Sequence, residues 1–208
     1  MTPIQDCLIN KNHKINPIWI MRQAGRYLPE FREIRLKNPD FIKLCLNKNL
    51  SAEITLQPIK RFDFDAAIIF SDILMLPYGL GQEVKFEKGL GPKLGKLDLD
   101  LIASINKDEF SRKLDPVYKS ISNISSNNIC KNKDIIGFVG APWTILVYMI
   151  NKMSPKKSLS KEIFNDELFI NKLLSIIEKF LKIHIENQIN AGATIIQIFD
   201  SWAGLLED

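Results

Sequence analysis

The chain has 208 residues, 46% of them hydrophobic and 25% charged, with Lys+Arg 28 against Asp+Glu 24, Gly 10 and Pro 10. That balance excludes collagen-like, low-complexity and disordered chains, and the length fits one ordinary domain or two small ones. The net charge of +4 is mild and the lysines are scattered, which argues against a nucleic-acid stripe and leaves room for anionic small molecules.

In chain order, the N-terminal MTPIQDCLINKNHK lacks the apolar core of a signal peptide. Its Cys7 and His13 are too few ligands for a metal site. Cys7, Cys45 and Cys130 are odd in number and far apart, a pattern that fits a reducing cytosol and no disulfide framework. Four short apolar runs follow one grammar: 17–21 (PIWIM), 66–70 (AAIIF), 135–139 (IIGFV) and 194–199 (TIIQIF). Each is β-branched or aromatic, nearly uncharged and too short for a helix, the signature of strands buried on both faces of a parallel sheet.

Helices are predicted between them over 29–37, 40–47, 52–61, 109–123 (broken or kinked at Pro116), 143–152 and 167–190. The last carries Phe169, Leu173, Ile176, Ile177, Phe180 and Leu181 at helical spacing, with Gly192 beyond it as a stop. His184 continues that stripe and reads as a packed histidine. Segment 83–99, rich in Gly and Lys, reads as an excursion with a hairpin. The uncharged stretch 135–150 is shorter than the ~20 residues of a membrane helix and is interrupted by Gly137, Gly140 and Pro142; no membrane span is expected.

Strands alternating with helices imply βαβ units and an α/β fold, either an open doubly wound sheet or a closed (β/α)8 barrel. Gly79 and Gly81 do not make the dinucleotide fingerprint and no P-loop is present. The conspicuous polar residues follow the apolar runs: Arg22-Gln23-Ala24-Gly25-Arg26-Tyr27, Ser71-Asp72, Gly140-Ala141-Pro142-Trp143-Thr144 and Asp200-Ser201-Trp202. The carboxyl ends of parallel strands are where α/β folds bind ligands.

Arg22 and Arg26 are guanidiniums suited to carboxylates. Gly25 between them would permit close backbone approach or positive φ, and Asp72 would offer an acceptor-only carboxylate to N–H donors or to a developing cation. An Arg pair can equally be a surface face, and an Asp after a strand a helix cap. Their coincidence at one end of four runs favours a site for an anionic, N–H-bearing ligand.

The stretch 17–35, PIWIMRQAGRYLPEFREIR, resembles the N-terminal signature of the uroporphyrinogen decarboxylases of haem biosynthesis, and FSDIL (70–74), GAPWT (140–144) with Tyr148, and FDSWAG (199–204) match later motifs in order. The resemblance spans nearly the whole chain. It implies a (β/α)8 TIM barrel, of which residues 1–208 would be the N-terminal portion with about the first four strand–helix units. It also implies a cytoplasmic enzyme, homodimeric when full length, needing no cofactor, with neither nucleic acid nor membrane as partner.

The implied activity is removal of the carboxyl groups of the four acetate side chains of uroporphyrinogen III, giving coproporphyrinogen III. By the same resemblance Arg22, Gln23, Ala24, Gly25, Arg26, Asp72, Tyr148 and Ser201 bind substrate. Asp72 gathers the pyrrole N–H groups, and Arg22 or Arg35, with a bound water, supplies protons.

Members of that family are much longer, and a C-terminal histidine they use has no counterpart here: neither His13 nor His184 aligns with it. A partial chain or truncated reading frame, inactive or poorly folded alone, is therefore expected. Two alternatives stand beside it: a corrinoid-linked methyltransferase of the same barrel superfamily, and a non-catalytic half-barrel that binds porphyrinogen.

Overall fold

The computed structural model describes residues 1–12, 14, 16–87, 89–155 and 166–205. The N-terminal third is helical, and polar caps and prolines set the helix starts. Helix α1 (Pro3–Ile9) begins at Thr2, whose hydroxyl accepts from the Gln5 amide, with proline in the first turn. Helix α2 (Pro29–Lys37) also opens on proline and carries Arg35 and Lys37 in its last turn, where cations suit the carbonyl end. Asp40 caps α3 (Phe41–Cys45), and Asn47 caps α4 (Lys48–Phe62) through the amides of Asn49 and Leu50. Asp63 ends α4 in the left-handed region at φ 52.

Strand β1 (Ala66–Ile68) follows, then α5 (Met75–Gly79), β2 (Val84–Glu87), β3 (Gly91–Leu94), α6 (Leu99–Ser104), α7 (Lys107–Ser125), β4 (Asp134–Gly140), α8 (Pro142–Asn151), α9 (Glu167–Asn190) and β5 (Ile195–Phe199). The main sheet has the order β1-β4-β5. Strands β1 and β4 are parallel, with Ala66 opposite Asp134 and Ile68 opposite Ile136. Strand β5 runs the same way as β4, since Thr194 N donates to Ile135 O at the start and Ala141 N to Phe199 O at the end, both 2.8 Å. Strands β2 and β3 form a separate antiparallel hairpin from Val84–Leu94 to Glu87–Gly91, as expected for segment 83–99.

Two compact units divide the chain: Met1–Ser71 with Asp115–Phe138 and Asn187–Gln197, and Asp72–Leu114 with Val139–Glu186 and Ile198–Asp208. The first packs Ala52, Leu56 and Ile59 of α4 against Ala67, Ile69, Ile135, Ile121, Ile124, Cys130 and Ala193. Such burial contributes on the order of 1.5–3 kcal/mol for each large apolar side chain. In the second, the Phe110 and Phe180 rings lie 4.9 Å apart. Gly79 lets Phe110 lie close, because a β-carbon at 79 would meet its ring at 2.6 Å.

Three of the four predicted strands form, and the first does not. Residues 17–20 join no ladder, and Met21 already belongs to the turn that follows. Asp65 N donates to Ile18 O at 3.0 Å, but Ile18 N returns its bond to the Asp65 carboxylate at 2.7 Å instead of to a strand carbonyl. Ile18, Ile20 and Met21 are 57%, 50% and 52% exposed, so this run is not buried on both faces. Pro116 does not break α7: Phe110, Leu114, Val117, Ile121 and Ile124 form one buried stripe across it, which outweighs the lost N–H bond. Helices α1, α5 and α6 are additions to the sequence reading.

Candidate functional site

The predicted site residues fall into two groups, one in each unit. In the first, residues 20–28 form a braced turn. Gln23 N donates to Ile20 O at 3.0 Å and Leu28 N to Gly25 O at 3.1 Å. The Gln23 side chain is fully buried. Its amide nitrogen donates to Ala66 O at 2.8 Å and its oxygen accepts from Ile20 N at 3.1 Å, so it ties the turn to β1. The Tyr27 hydroxyl donates to Gln23 O at 2.9 Å.

Gly25 keeps φ outside the left-handed region, contrary to one reason for expecting glycine. The residue is small because the Tyr27 ring covers it, leaving 2.2 Å to a would-be β-carbon. Ala24 is half-buried. Arg22 and Arg26 are exposed, and neither side chain makes an ion pair or hydrogen bond among the described residues. Two guanidiniums four residues apart on a fixed turn can each take a carboxylate through paired N–H donors.

Arg35 is not on that turn. It sits half-buried in the last turn of α2, donates to the Asn38 carbonyl and lies with its guanidinium carbon 5.7 Å from the Phe41 ring centroid.

The second group stands at the chain segments that leave β1, β4 and β5. Asp72 is half-buried. Its Oδ1 accepts from Leu74 N at 2.9 Å and its carbonyl from Met75 N at 3.2 Å. One carboxylate oxygen therefore shapes the turn ahead of α5, whose N-cap is Leu74 with no side-chain cap bond, so Asp72 is not the helix cap that the alternative reading anticipates.

Tyr148 lies on α8, its ring 5.8 Å from that of Trp202 and its hydroxyl 3.5 Å from Ser154 Oγ. Ser201 is exposed in the turn after β5. Its neighbours are tied to the start of α8. Thr144 Oγ1 donates to Asp200 Oδ1 at 2.7 Å and accepts from Trp202 N at 3.0 Å, while Trp143 Nε1 donates to Trp202 O at 2.8 Å. The structure thus brings Tyr148 and Ser201 onto two joined segments, through Trp143, Thr144, Asp200 and Trp202. In the sequence those four residues stand out for following strands and as parts of the GAPWT and FDSWAG motifs, with nothing to link them to one another.

His184 is buried and faces the Phe110 ring edge-on at 6.2 Å. Burial pushes its pKa down to about 4, in keeping with a packed histidine. His13 lies outside the described residues. Cys45 and Cys130 are buried thiols and Cys7 a half-buried one, and burial raises the Cys130 pKa. Among the described residues no cluster of three or more His, Cys, Asp or Glu could share a metal ion, and no helix is long and apolar enough to cross a membrane. An open cleft of about 440 Å³ is lined by Glu30, Glu53, Gln57, Lys60 and Arg61 and holds none of the predicted site residues.

Comparison with known proteins gives a consistent result. The family model described as uroporphyrinogen decarboxylase (URO-D) matches residues 2–208. A uroporphyrinogen decarboxylase from Mesorhizobium japonicum is 41% identical over 205 residues, covering 98% of this chain and 60% of that protein. Those of Campylobacter jejuni and Aliarcobacter butzleri are each 42% identical, covering 97% of this chain and 60% of theirs. Among solved structures, a methyltransferase from Methanosarcina mazei superposes with a TM-score of 0.62 at 19% identity, covering 82% of this chain and 51% of that one. That likeness carries the fold alone: an α/β architecture with a parallel sheet, consistent with part of a TIM barrel.

Proposed function

Because the chain belongs to the uroporphyrinogen decarboxylase family, we propose that its residues serve the cofactor-independent decarboxylation of uroporphyrinogen III to coproporphyrinogen III. The chain spans about 60% of the length of the curated relatives it matches. The observation that carries the reading is the pair Arg22 and Arg26: exposed, without a protein partner among the described residues, and held on a turn braced by Gln23 and Tyr27. A substrate whose rim carries carboxylates fits two such cations.

The chemistry needs an electron sink. Protonation of a pyrrole α-carbon turns the ring into an iminium-like cation. Loss of CO₂ from the neighbouring acetate then returns the C–C bonding pair to that ring, a proton delivered to the exocyclic carbon completes the methyl group, and loss of the α-carbon proton restores the aromatic pyrrole, so that one proton is consumed for each CO₂ released. The protein's tasks are to stabilise the cation and deliver protons.

A carboxylate set beside the pyrrole N–H groups does the first by electrostatic preorganisation, the role proposed for Asp72. Proton delivery is assigned to Arg22 or Arg35 through a bound water. A guanidinium is a poor acid and a water molecule a poorer one, so the guanidinium holds the water in place and the proton is relayed through it from bulk solvent. Arg22 suits this better than Arg35, whose guanidinium already serves Asn38 and Phe41. Tyr148 and Ser201 contact substrate near the reacting side chain. A cytoplasmic homodimer is the setting proposed for the whole protein. With three strands in the parallel sheet among the described residues, against eight in a closed barrel, the 208 residues alone are expected to turn over poorly.

The test is anaerobic uroporphyrinogen III incubated with the complete gene product that carries these residues. CO₂ release and coproporphyrinogen are expected, and an Asp72→Asn variant, equal in size but uncharged, should lose on the order of 100-fold in rate. Binding without CO₂ release by the unsubstituted protein would identify a binding module instead. A near-normal rate for Asp72→Asn would remove Asp72 from the mechanism.

A further inference from the structure

We propose that Thr144 is a positioning residue for the substrate contacts of Tyr148 and Ser201, an inference that rests on the decarboxylase reading. Thr144 is fully buried, and its one hydroxyl makes two bonds to the turn after β5. It donates to Asp200 Oδ1 at 2.7 Å and accepts from Trp202 N at 3.0 Å. Those partners flank Ser201 on either side. The neighbouring Trp143 adds an indole N–H to Trp202 O at 2.8 Å, and Ala141 N donates to Phe199 O at 2.8 Å. The start of α8 therefore grips residues 199, 200 and 202, leaving Ser201 as the exposed residue between gripped neighbours.

Thr144 and Tyr148 are four residues apart on α8 and so share one helix face. The Tyr148 ring lies 5.8 Å from that of Trp202, inclined at 64°. With the Trp143 and Ala141 bonds beside it, this hydroxyl thus holds the turn that carries Ser201 against the helix that carries Tyr148. A threonine whose only task was to fill the core could be valine at nearly the same volume. Here valine would leave the Trp202 amide without its acceptor and Asp200 without its donor.

Thr144→Val and Thr144→Ser are compared in the complete gene product. Reaction geometry is sensitive to shifts of an ångström, so kcat/KM for Thr144→Val should fall about tenfold, mainly through KM, while the Trp202 amide proton exchanges faster. Thr144→Ser should stay within about twofold of the unsubstituted enzyme in both readouts. Should Thr144→Val fail to fold, Asp200→Ala removes the exposed partner of the same hydroxyl and should raise KM in the same way.

Unchanged kinetics in Thr144→Val despite a freely exchanging Trp202 amide would overturn the inference. So would a Thr144→Ser variant as impaired as valine, because the methyl group would then be the part that matters. Failure of the unsubstituted enzyme to bind or convert uroporphyrinogen III overturns the functional reading itself, and is recognised before any variant is made.

Discussion

The Tyr27 ring lies across Gly25: a β-carbon at residue 25 would come 2.2 Å from Tyr27 Cε1, while the Tyr27 hydroxyl reaches back to the Gln23 carbonyl at 2.9 Å. Gly25→Ala must therefore swing the ring away and break that bond. Overpacking of this kind costs about 1–3 kcal/mol, and it falls on the turn that spaces Arg22 from Arg26. Tyr27→Phe keeps the ring and should cost less than Gly25→Ala. In the double variant Gly25→Ala, Tyr27→Ala the added methyl meets no ring, so the two costs should not add. Unfolding midpoints of the unsubstituted protein, Gly25→Ala, Tyr27→Phe, Tyr27→Ala and the double variant check this; additive losses of Gly25→Ala and Tyr27→Ala would mean that the ring does not set the glycine.

The β1 and β4 runs, the hairpin and helices α2 and α9 were legible because periodicity and caps act locally. Pro29 opens α2 and Lys37 ends it as predicted, and α9 stops short of Gly192, which adopts φ +112. Residues 17–21 misled because β-propensity records fitness for a packed surface, whereas a strand also needs a ladder partner. Ile18 is anchored by a carboxylate, a long-range detail that no pattern in PIWIM contains. In the site, the residue types at 22–26 were readable, but the full engagement of Gln23 by Ala66 and Ile20 was not. The joining of Thr144 to Asp200 and Trp202 depends on residues 56 and 58 apart in sequence, which local spacing cannot report.

His184 makes stability depend on pH. Its pKa is about 4 in the fold against 6.5 for the free imidazole, because burial disfavours the charged form. Between those values the unfolded chain holds a proton that the folded one does not. The stabilisation is complete above pH 6.5 and is lost as pH falls toward 4. The loss is on the order of 3 kcal/mol, at about 1.4 kcal/mol per pKa unit. Chemical denaturation from pH 7.5 to pH 4 should show that slope in the unsubstituted protein and a shallower one in His184→Asn. Equal slopes would place the dependence elsewhere.

Gln188 pairs with the main chain of β4. Its Oε1 accepts from Phe138 N at 2.9 Å and its Nε2 donates to Phe138 O at 3.1 Å. Gly137 leaves room for this, since a β-carbon there would stand 2.6 Å from Gln188 Oε1. Gln188→Leu fills the same space but supplies no polar partner. Losing these two bonds to the strand backbone should cost about 1–3 kcal/mol. Gly137→Ala should be destabilising by displacing the same side chain. Thermal unfolding together with exchange of the Phe138 amide separates loss of this bond from a general loosening of the sheet.

Arg22 and Arg26 predict a salt-dependent and geometry-dependent affinity. Both are exposed and without side-chain partners among the described residues, so their attraction for a polycarboxylate is screened over about 10 Å at 0.1 M ionic strength. Under the proposed reading, the KM of the complete gene product for uroporphyrinogen III should rise with added salt, and Arg26→Gln should flatten that dependence because one cation is gone. Arg26→Lys keeps the charge but loses the planar pair of donors. It should retain the salt slope while weakening binding at every ionic strength, by about 10- to 150-fold if one charge-assisted bond of about 1.5–3 kcal/mol is lost. A lysine variant that binds as tightly as the arginine would mean that the turn contributes charge alone, without directed hydrogen bonds to the substrate's carboxylates.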